Sequence, residues 1–386
     1  MFFYLPPFKF AFRLSFSIID IKYQRYKVSI RRMKMMIGMK RRWTLLVGLL
    51  LLGLLAVGCG GDAPKATAVP TTNPTTGVGV LSLPALTAVA RPGEPLNVVA
   101  TTSIIGDVVV QVGGEAIALT TLMEPGQDPH SYQPGARQLT AVANADVIFI
   151  NGWDLEESLV QNLESVGEKA IIVPISANIQ PLVFGAAGHD EADANEDEHE
   201  EGHEHEGADP HVWQAVTNVM QWVNNVQQTL SALDPANTAV YQQNATAYLA
   251  ALAELEAYAQ TQLAAIPAEN RVLITNHDAL AYFAHAYDFE ILGTIIPGGS
   301  TLAESSATSL AALVSLMAEH GICTIFAENT SNTNLAAAVA AELKTCAGGV
   351  QVSQLYTDAL GAPGSGADSY IGMFRANVDA VVKGLR

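Results

Sequence analysis

The sequence predicts an α/β protein of two lobes, each with a mostly parallel sheet flanked by helices, joined by a long rigid helix. Short apolar runs alternate with helical stretches in the first half of the chain and again in its last third. This alternation is typical of parallel sheets, whose strands are covered by helices. Long helical stretches without strands separate the two alternating regions. The chain therefore consists of a lobe, a long helix and a second lobe.

The first lobe is assigned to residues 96–232 and begins with an apolar, β-branched run at residues 96–101. Runs of this kind, bounded by turn residues, predict strands. A first helix is expected to end at Val112, where two glycines follow. Further strands are predicted at residues 116–122, 146–151 and 170–175, with helices at residues 135–143 and 156–166.

The linking helix is assigned to residues 233–267. Asp234 and Pro235 separate it from the helix before it, and Pro267 ends it, because proline cannot continue a helix. The second lobe is assigned to residues 268–386. The long helices are predicted at residues 213–232 and 237–266. Strands of the second lobe are predicted at residues 272–276, 291–296, 322–327 and 350–354, and helices at residues 278–287, 304–319, 333–345 and 369–384.

Charge is distributed unevenly along the chain. Of the 20 lysines and arginines, 11 precede Cys59, whereas only one of the 38 acidic residues does. From Cys59 onward there are 9 basic residues against 37 acidic ones, a formal net charge of −28. A surface this acidic repels the phosphates of nucleic acids and attracts cations. The charge therefore argues against a nucleic-acid partner and favours a metal ion.

The basic N-terminus has the pattern of an export signal, assigned to residues 1–58. Two arginines precede an apolar run of about 15 residues, which ends in small residues before Cys59. The run is shorter than the ~20 residues of a membrane-spanning helix, although a spanning anchor is the alternative. The pattern resembles a bacterial lipobox, so we expect Cys59 to carry lipid and anchor the protein to a membrane. Met39 is the expected start, which makes residues 1–38 a misassigned extension.

Two segments have low complexity. Residues 59–95 are rich in Ala, Thr, Pro, Gly and Val, which predicts a flexible tether. Residues 189–206 carry ten acidic residues and four histidines, and we expect a solvated loop inserted in the first lobe. Its side chains suit loose binding of labile zinc, and a loop that only aids solubility is the alternative. The loop histidines are His189, His199, His203 and His205.

Cys323 and Cys346 are the two cysteines that remain after Cys59. In an oxidising exported compartment such a pair commonly forms a disulfide, and two unconnected buried thiols are the alternative. Their separation lacks the close C-x-x-C spacing of thiolate zinc sites. We therefore do not expect these cysteines to bind metal.

Three of the five histidines outside the loop share a context that favours metal binding. The tripeptide Asp-Pro-His occurs twice, ending at His130 and His211, and His277 directly follows a predicted strand. One such tripeptide is more typical of a turn, but ligands of open α/β sheets bind at the carboxyl ends of strands. Each preceding aspartate is placed to accept a hydrogen bond from its loop or imidazole. His285 and His320 lie on predicted helices and are interpreted as structural.

These segments resemble the zinc/manganese ABC transporter substrate-binding lipoproteins, a family of extracytoplasmic solute-binding proteins. The resemblance extends from about Leu96 to the C-terminus and implies that His130, His211 and His277 are metal ligands. It also implies that a carboxylate near the C-terminus completes the site. The similar segments, in the family's order, are residues 124–134, 151–156, 209–213 and 276–283.

The expected carboxylate is Asp358, with Asp368 as the alternative. Asp358 follows the last predicted strand, as a ligand in the crevice should, whereas Asp368 has the position of an N-cap of the final helix. Some family members carry a second carboxylate where this sequence has His277, a difference that bears on the metal. Glu328, at the end of a predicted strand, either lines the crevice beside the ligands or forms a salt bridge.

Three imidazoles and one carboxylate fit a tetrahedral zinc site, with zinc–nitrogen bonds of ~2.0–2.1 Å. Manganese prefers more oxygen ligands, so zinc is the expected cargo and manganese the alternative. The resemblance implies a periplasmic or cell-surface carrier that delivers the metal to an ABC transporter permease, and we expect a monomer.

Two other functions compete with this interpretation. A zinc-dependent hydrolase needs an open metal position, whereas four protein ligands would fill the site, and the sequence has no H-E-x-x-H motif. An adhesin would leave the two Asp-Pro-His loops unexplained. We therefore expect a carrier and no enzymatic activity.

Overall fold

The structure is a computed structural model that describes residues 79–386 except residues 90, 92, 168, 185–206 and 331–333. The expected signal peptide, Cys59 and the four histidines of the acidic loop lie outside the described residues. Within this part of the chain, no helix combines the length and apolar character needed to cross a membrane.

Two four-stranded parallel sheets form the frame and confirm the predicted fold class. The first sheet has the order β2-β1-β3-β4 and the second the order β6-β5-β7-β8, so both lobes share one topology. The strand order reverses between β1 and β3 in the first sheet and between β5 and β7 in the second. Ligands of open α/β sheets bind at such a reversal. The strands are β1 (Leu96–Ala100), β2 (Ile117–Thr121), β3 (Val147–Ile150), β4 (Ile171–Pro174), β5 (Val272–Thr275), β6 (Glu290–Thr294), β7 (Thr324–Glu328) and β8 (Gln351–Leu355).

The helices lie close to their predicted positions. The predicted helix boundaries differ from the observed ones by at most three residues. The helix predicted from residue 278, for example, begins at Ala281, after a tight turn in which Ala279 N–H donates to the carbonyl of His277. The helices are α1 (Ser103–Gly113), α2 (Ala136–Ala143), α3 (Glu157–Val166), α4 (Val216–Leu233), α5 (Thr238–Leu263), α6 (Ala281–Tyr287), α7 (Ala307–His320), α8 (Asn334–Glu342) and α9 (Tyr370–Leu385).

Helix α5 connects the two lobes along its length. Its 26 residues span about 39 Å at 1.5 Å per residue. Near its start, Asn244 donates to the carbonyl of Val112 at the end of α1, 3.0 Å away. Near its end, Glu256 accepts a hydrogen bond from Tyr287 of α6 at 2.7 Å. The helix therefore holds the first lobe with one end and the second lobe with the other.

One hydrophobic cluster runs through both lobes. It joins α1, α4, α5 and α9, with Val108, Trp222, Leu255 and Phe374 as fully buried members. Two smaller clusters cover the outer faces of the sheets, one under α2 and α3 and the other under α7 and α8. Because protein interiors are close-packed, a shared core resists wide separation of the lobes. This packing favours small lobe or loop shifts over hinge closure.

The segment before β1 packs against the first lobe. Leu83, Leu86 and Val89 are partly buried on the shared core, and Val89 N–H donates to the carbonyl of Leu233 at 2.8 Å. These apolar side chains gain free energy by leaving water. This part of residues 59–95 is therefore attached to the lobe and differs from the flexible tether expected there.

Cys323 and Cys346 form a disulfide bond. Cys323 directly precedes β7, and Cys346 lies in the loop between α8 and β8. The bond thus ties the amino end of β7 to the chain that leads into its neighbouring strand. Cys346 is buried in the outer cluster of the second lobe.

Candidate metal centre

Four potential metal ligands meet between the carboxyl ends of the two sheets. They are buried, and each offers one ligand atom within 4.8 Å of the others. His130 lies in the loop after β2, and His211 lies between β4 and α4. His277 follows β5 by two residues, and Asp358 follows β8 by three. Each lobe therefore contributes two of the four side chains, all from loops at strand ends.

The loop of His130 is shaped by a turn and by Asp128. Gly126 adopts a positive φ of 81°, which a type II turn requires at its third position. Asp128 then accepts hydrogen bonds from His130 N–H at 2.9 Å and from the hydroxyl of Ser131 at 2.8 Å. Thr301 of the second lobe donates to the same carboxylate at 2.7 Å. Asp128 thus orders the loop and links it to the opposite lobe.

His211 is held by the aspartate of its own tripeptide. Asp209 Oδ1 accepts hydrogen bonds from the backbone N–H of His211 at 2.9 Å and from its ring Nδ1 at 2.7 Å. A ring that donates from Nδ1 presents Nε2 as the ligand atom. The aspartate therefore performs the role that its sequence position suggested.

Glu328 supports His277 in the same way from a neighbouring strand. It ends β7, is 1% exposed, and its Oε1 accepts from His277 N–H at 3.0 Å and from Nδ1 at 2.6 Å. The two alternatives left open for Glu328 thus combine, because it lines the crevice by pairing with a candidate ligand. A carboxylate on the outer nitrogen fixes the tautomer and raises the basicity of the ligand nitrogen.

The backbone around Asp358 is held by the first lobe. The carbonyl of Thr357 accepts hydrogen bonds from Trp213 Nε1 at 2.6 Å and from Gln214 Nε2 at 2.9 Å. Leu360 N–H donates to the hydroxyl of Ser103 at 3.1 Å. The first lobe therefore helps to hold the backbone on both sides of Asp358.

The carboxylate of Asp358 is built to face a cation. It is 1% exposed, and among the described residues neither oxygen has a hydrogen-bond partner. A buried carboxylate without a partner is costly unless a positive charge compensates it. A metal ion between Asp358 and the three imidazoles would supply that charge.

The spacing of the ligand atoms fits a tetrahedral metal ion. Nε2 of His211 lies 3.4 Å from Nε2 of His130 and 3.3 Å from Nε2 of His277. Asp358 Oδ1 lies 3.8 Å from His211 Nε2, and Oδ2 lies 3.5 Å from His277 Nε2. A tetrahedron with bonds of ~2.0–2.1 Å has edges of about 3.3–3.4 Å. The two nitrogen–nitrogen distances therefore match the edges of a tetrahedral metal site, and the carboxylate oxygens lie slightly farther away.

Burial and neighbouring charges set the protonation of the metal-free centre. Burial, together with the other two histidines, lowers the pKa of His130 to about 3, and burial lowers the pKa of His211 well below its usual value. Burial also acts to lower the pKa of His277, but Glu328 and Asp358 outweigh it and raise this pKa to about 10. Burial raises the pKa of Asp358 to about 8. Protons thus remain in the centre at neutral pH, and a metal ion must displace them.

Asp368, the alternative ligand, does not reach the centre. It is exposed, and its carboxylate accepts a hydrogen bond from Gly364 N–H at 2.7 Å. The prediction that Asp368 caps the final helix is also wrong. Ser369 is the N-cap, because it directly precedes the helix and its hydroxyl accepts from Gly372 N–H at 3.2 Å.

The two histidines predicted to be structural lie outside the centre. His285 and His320 are both exposed. His320 ends α7 and is followed by Gly321, whose φ of 67° terminates the helix in the left-handed conformation. The structure therefore separates these histidines from the three that converge.

Asn151 and Glu156 support the loop of His211, a role that the sequence did not indicate. Asn151 Nδ2 donates to the carbonyl of Pro210 at 2.9 Å. Glu156 accepts from Asn151 N–H at 2.7 Å and from the hydroxyl of Thr101 at 2.6 Å, and burial raises its pKa. Asn151 directly follows β3, so its strand-end position was the available signal.

Comparison with known proteins points to transport of metal ions. Residues 98–384 match the family model of ZnuA, described as zinc-uptake complex component A, periplasmic. The manganese-binding lipoprotein MntA of Halalkalibacterium halodurans is 31% identical over 338 residues, which cover 87% of this chain and 96% of that protein. The zinc-binding protein TroA of Treponema pallidum is 32% identical over 297 residues, which cover 77% of this chain and 90% of that protein.

Solved structures show the same fold. The periplasmic zinc-binding protein TroA of Treponema pallidum superimposes with a TM-score of 0.66 at 32% identity, covering 76% of this chain and 99% of that chain. A manganese-bound periplasmic metal-binding protein of Candidatus Liberibacter asiaticus superimposes with a TM-score of 0.63 at 27% identity. The match covers 76% of this chain and 100% of that chain. The similar proteins thus include binders of both metals.

Proposed function

This chain belongs to the ZnuA family, and from this premise we propose that it captures zinc, in preference to manganese, and delivers it to the permease of an ABC importer. Proteins of this family are substrate-binding components of metal transporters, not enzymes. The alternative of a zinc-dependent hydrolase is therefore not supported.

The convergence of three imidazoles and one carboxylate carries this proposal. We propose His130, His211, His277 and Asp358 as the metal ligands. All four are buried, and their ligand atoms lie within 4.8 Å of one another. Within the described part of the chain, neither oxygen of the Asp358 carboxylate has a hydrogen-bond partner, and this supports a cation as the cargo.

The preference for zinc rests on the donor set. Three nitrogen donors and one carboxylate favour zinc, because affinity at nitrogen-rich sites rises from manganese toward copper and zinc. The nitrogen–nitrogen distances of 3.3 and 3.4 Å also match a tetrahedral ion. The names of the relatives leave the choice open, since they include both a manganese-binding and a zinc-binding protein.

The remaining assignments follow from the sequence and from the family. We propose that Cys59 carries a lipid that anchors the protein outside the cytoplasm, as the lipoprotein names of relatives support. We further propose that residues 189–206 hold labile zinc. The proposed arrangement is a first lobe at residues 96–232, a linking helix at residues 233–267 and a second lobe at residues 268–386.

Metal analysis of the purified protein, combined with competition between zinc and manganese, tests the proposal. One tightly held zinc ion that manganese does not displace at equal concentration is the expected result. His130→Ala should lose this ion, whereas His320→Ala, which removes an exposed histidine, should keep it. Manganese that displaces zinc would overturn the preference, and a parent protein that binds neither metal would overturn the function.

The accessory role of the acidic loop has a separate test. Deletion of residues 189–206 should lower the number of weakly bound zinc ions and leave the tightly bound ion in place. A deletion variant that binds as many zinc ions as the parent would remove the accessory role and leave the carrier function intact.

A further inference from the structure

Tyr282 connects the second lobe to the chain that leads to His211. Its hydroxyl donates to the carbonyl of Asp209 at 2.9 Å and accepts from Leu182 N–H at 3.0 Å. Asp209 N–H in turn donates to the carbonyl of Leu182 at 2.8 Å. Tyr282 belongs to α6, five residues after His277. One hydroxyl of the second lobe therefore fixes two segments of the first.

Tyr370 holds the other side of His211. It is fully buried, and its hydroxyl donates to the carbonyl of Trp213 at 2.8 Å. Its backbone N–H, at the start of α9, donates to Asp107 of α1 at 2.8 Å. The tyrosine is therefore anchored at both ends to the first lobe, although it belongs to the second.

The two hydroxyls bracket His211 symmetrically along the chain. One binds the carbonyl two residues before it, and the other binds the carbonyl two residues after it. The same stretch also reaches the second lobe through Trp213 and Gln214, which donate to the carbonyl beside Asp358. The placement of His211 in the centre therefore depends on the contact between the lobes.

We propose that Tyr282 and Tyr370 are positioning residues of the metal centre, which place His211 for binding only while the lobes keep their present contact. The inference rests on the proposed function and extends it. A metal site tolerates ligand displacements of only about 0.5 Å. Loss of a hydroxyl leaves a buried carbonyl without its donor, and its loop must then move or remain unsatisfied.

Single substitutions Tyr282→Phe and Tyr370→Phe in the full protein test this proposal. Each removes one oxygen atom and keeps the ring. Tyr241→Phe is the matched control, because Tyr241 is also buried and donates to a carboxylate, Asp234, at 2.8 Å, but it does not touch a ligand loop. Zinc affinity is measured by competition with a chelator, and thermal unfolding of the metal-free protein reports stability.

We expect Tyr282→Phe and Tyr370→Phe to weaken zinc binding by about 5- to 50-fold, in the range of other groups that orient metal ligands. Tyr241→Phe should lower the unfolding temperature and leave zinc affinity unchanged. Cobalt bound to the two test variants should also absorb visible light more weakly than in the parent, because His211 no longer completes a tetrahedral set.

A loss of stability without a loss of metal binding would contradict the inference. If both variants lose thermal stability but bind zinc and cobalt as the parent does, the tyrosines only stabilise the fold and the inference is wrong. If Tyr370→Phe does not fold, Tyr282→Phe decides alone. A parent protein that binds no metal would instead contradict the proposed function, so the two failures differ.

Discussion

Glu328 accepts two hydrogen bonds from His277, one from ring Nδ1 at 2.6 Å and one from the backbone N–H at 3.0 Å. Asp209 accepts the same two hydrogen bonds from His211, one from ring Nδ1 at 2.7 Å and one from the backbone N–H at 2.9 Å. In both pairs one carboxylate oxygen fixes the backbone and the ring together. Asp209 is two residues from its histidine, whereas Glu328 comes from an adjacent strand. A carboxylate close in sequence and a carboxylate from an adjacent strand thus hold the two histidines in the same way.

Glu328→Gln should weaken zinc binding by roughly 10- to 100-fold, the usual cost of losing a carboxylate behind a metal-bound histidine. The amide still accepts a hydrogen bond but no longer carries the charge that raises the basicity of His277. Chelator competition measures the loss. Glu342→Gln, at an exposed position on α8, is the control and should bind zinc as the parent does. Equal affinity of both variants would contradict the role of Glu328.

Asp358→Asn should weaken zinc binding by more than about 100-fold, because it removes a proposed ligand and not only its support. Asp368→Asn makes the same chemical change on an exposed side chain and should leave affinity unchanged. Isothermal titration of both variants distinguishes the two aspartates. A loss of affinity in the Asp368 variant alone would reverse the assignment of the carboxylate ligand.

Zinc affinity should rise with pH between about pH 6 and about pH 8. The pKa values of about 10 for His277 and about 8 for Asp358 mean that both groups hold protons at neutral pH in the metal-free protein. Raising the pH removes this competition, and lowering it strengthens the competition, so binding must release protons. Calorimetry in buffers with different ionisation enthalpies counts them. Affinity that is independent of pH would contradict this protonation scheme.

Reduction of the disulfide should destabilise the protein without affecting the metal centre. Cys323 and Cys346 are 23 residues apart, and closing a loop of this size contributes about 3 kcal/mol to the free energy of unfolding. The bond lies at the amino end of β7, whereas the centre lies at the carboxyl ends of the strands. Denaturant unfolding of a Cys323→Ala, Cys346→Ala variant measures the loss. A parallel fall in zinc affinity would contradict the independence of the two regions.

His277→Glu should narrow the preference for zinc over manganese, because manganese prefers oxygen donors. The new carboxylate would also face Glu328 across the position of the former hydrogen bond, and this repulsion lowers affinity for both metals. Adding Glu328→Gln should relieve it. Competition between the two metals measures the ratio of affinities. An unchanged ratio in the double variant would show that His277 does not determine the choice of metal.

The resemblance to the family implied the set of candidate ligands, and a general property of parallel sheets explains why they meet. The carboxyl ends of parallel strands meet at one edge, so a histidine directly after a strand, such as His277, lies near other loops from that edge. The same rule favoured Asp358 over Asp368. The final helix was predicted to start at residue 369 and starts at Tyr370, so Ser369 occupies the capping position that was expected for Asp368.

The groups behind the ligands were harder to predict. Pairing of Glu328 with His277 depends on β5 and β7 being neighbours, and strand order is a property of the folded sheet. Tyr282 and Tyr370 act across the contact between lobes, which depends on how the shared core packs. Contacts this distant in sequence leave no local pattern, whereas the support of His211 by Asp209 spans two residues and is visible in the tripeptide.

The division of the proposed ligands between the lobes would affect how strongly a metal ion is held. The first lobe supplies one pair, His130 and His211, and the second lobe supplies the other, His277 and Asp358. A metal ion would therefore bind two pairs of side chains at once. After it binds one pair, it meets the other at an effective concentration fixed by α5 and the shared core. The total affinity then approaches the product of two weak affinities multiplied by that concentration. A slight loosening of the packing between α5 and the shared core would lower this effective concentration and release the ion. The affinity of each pair of side chains would stay the same.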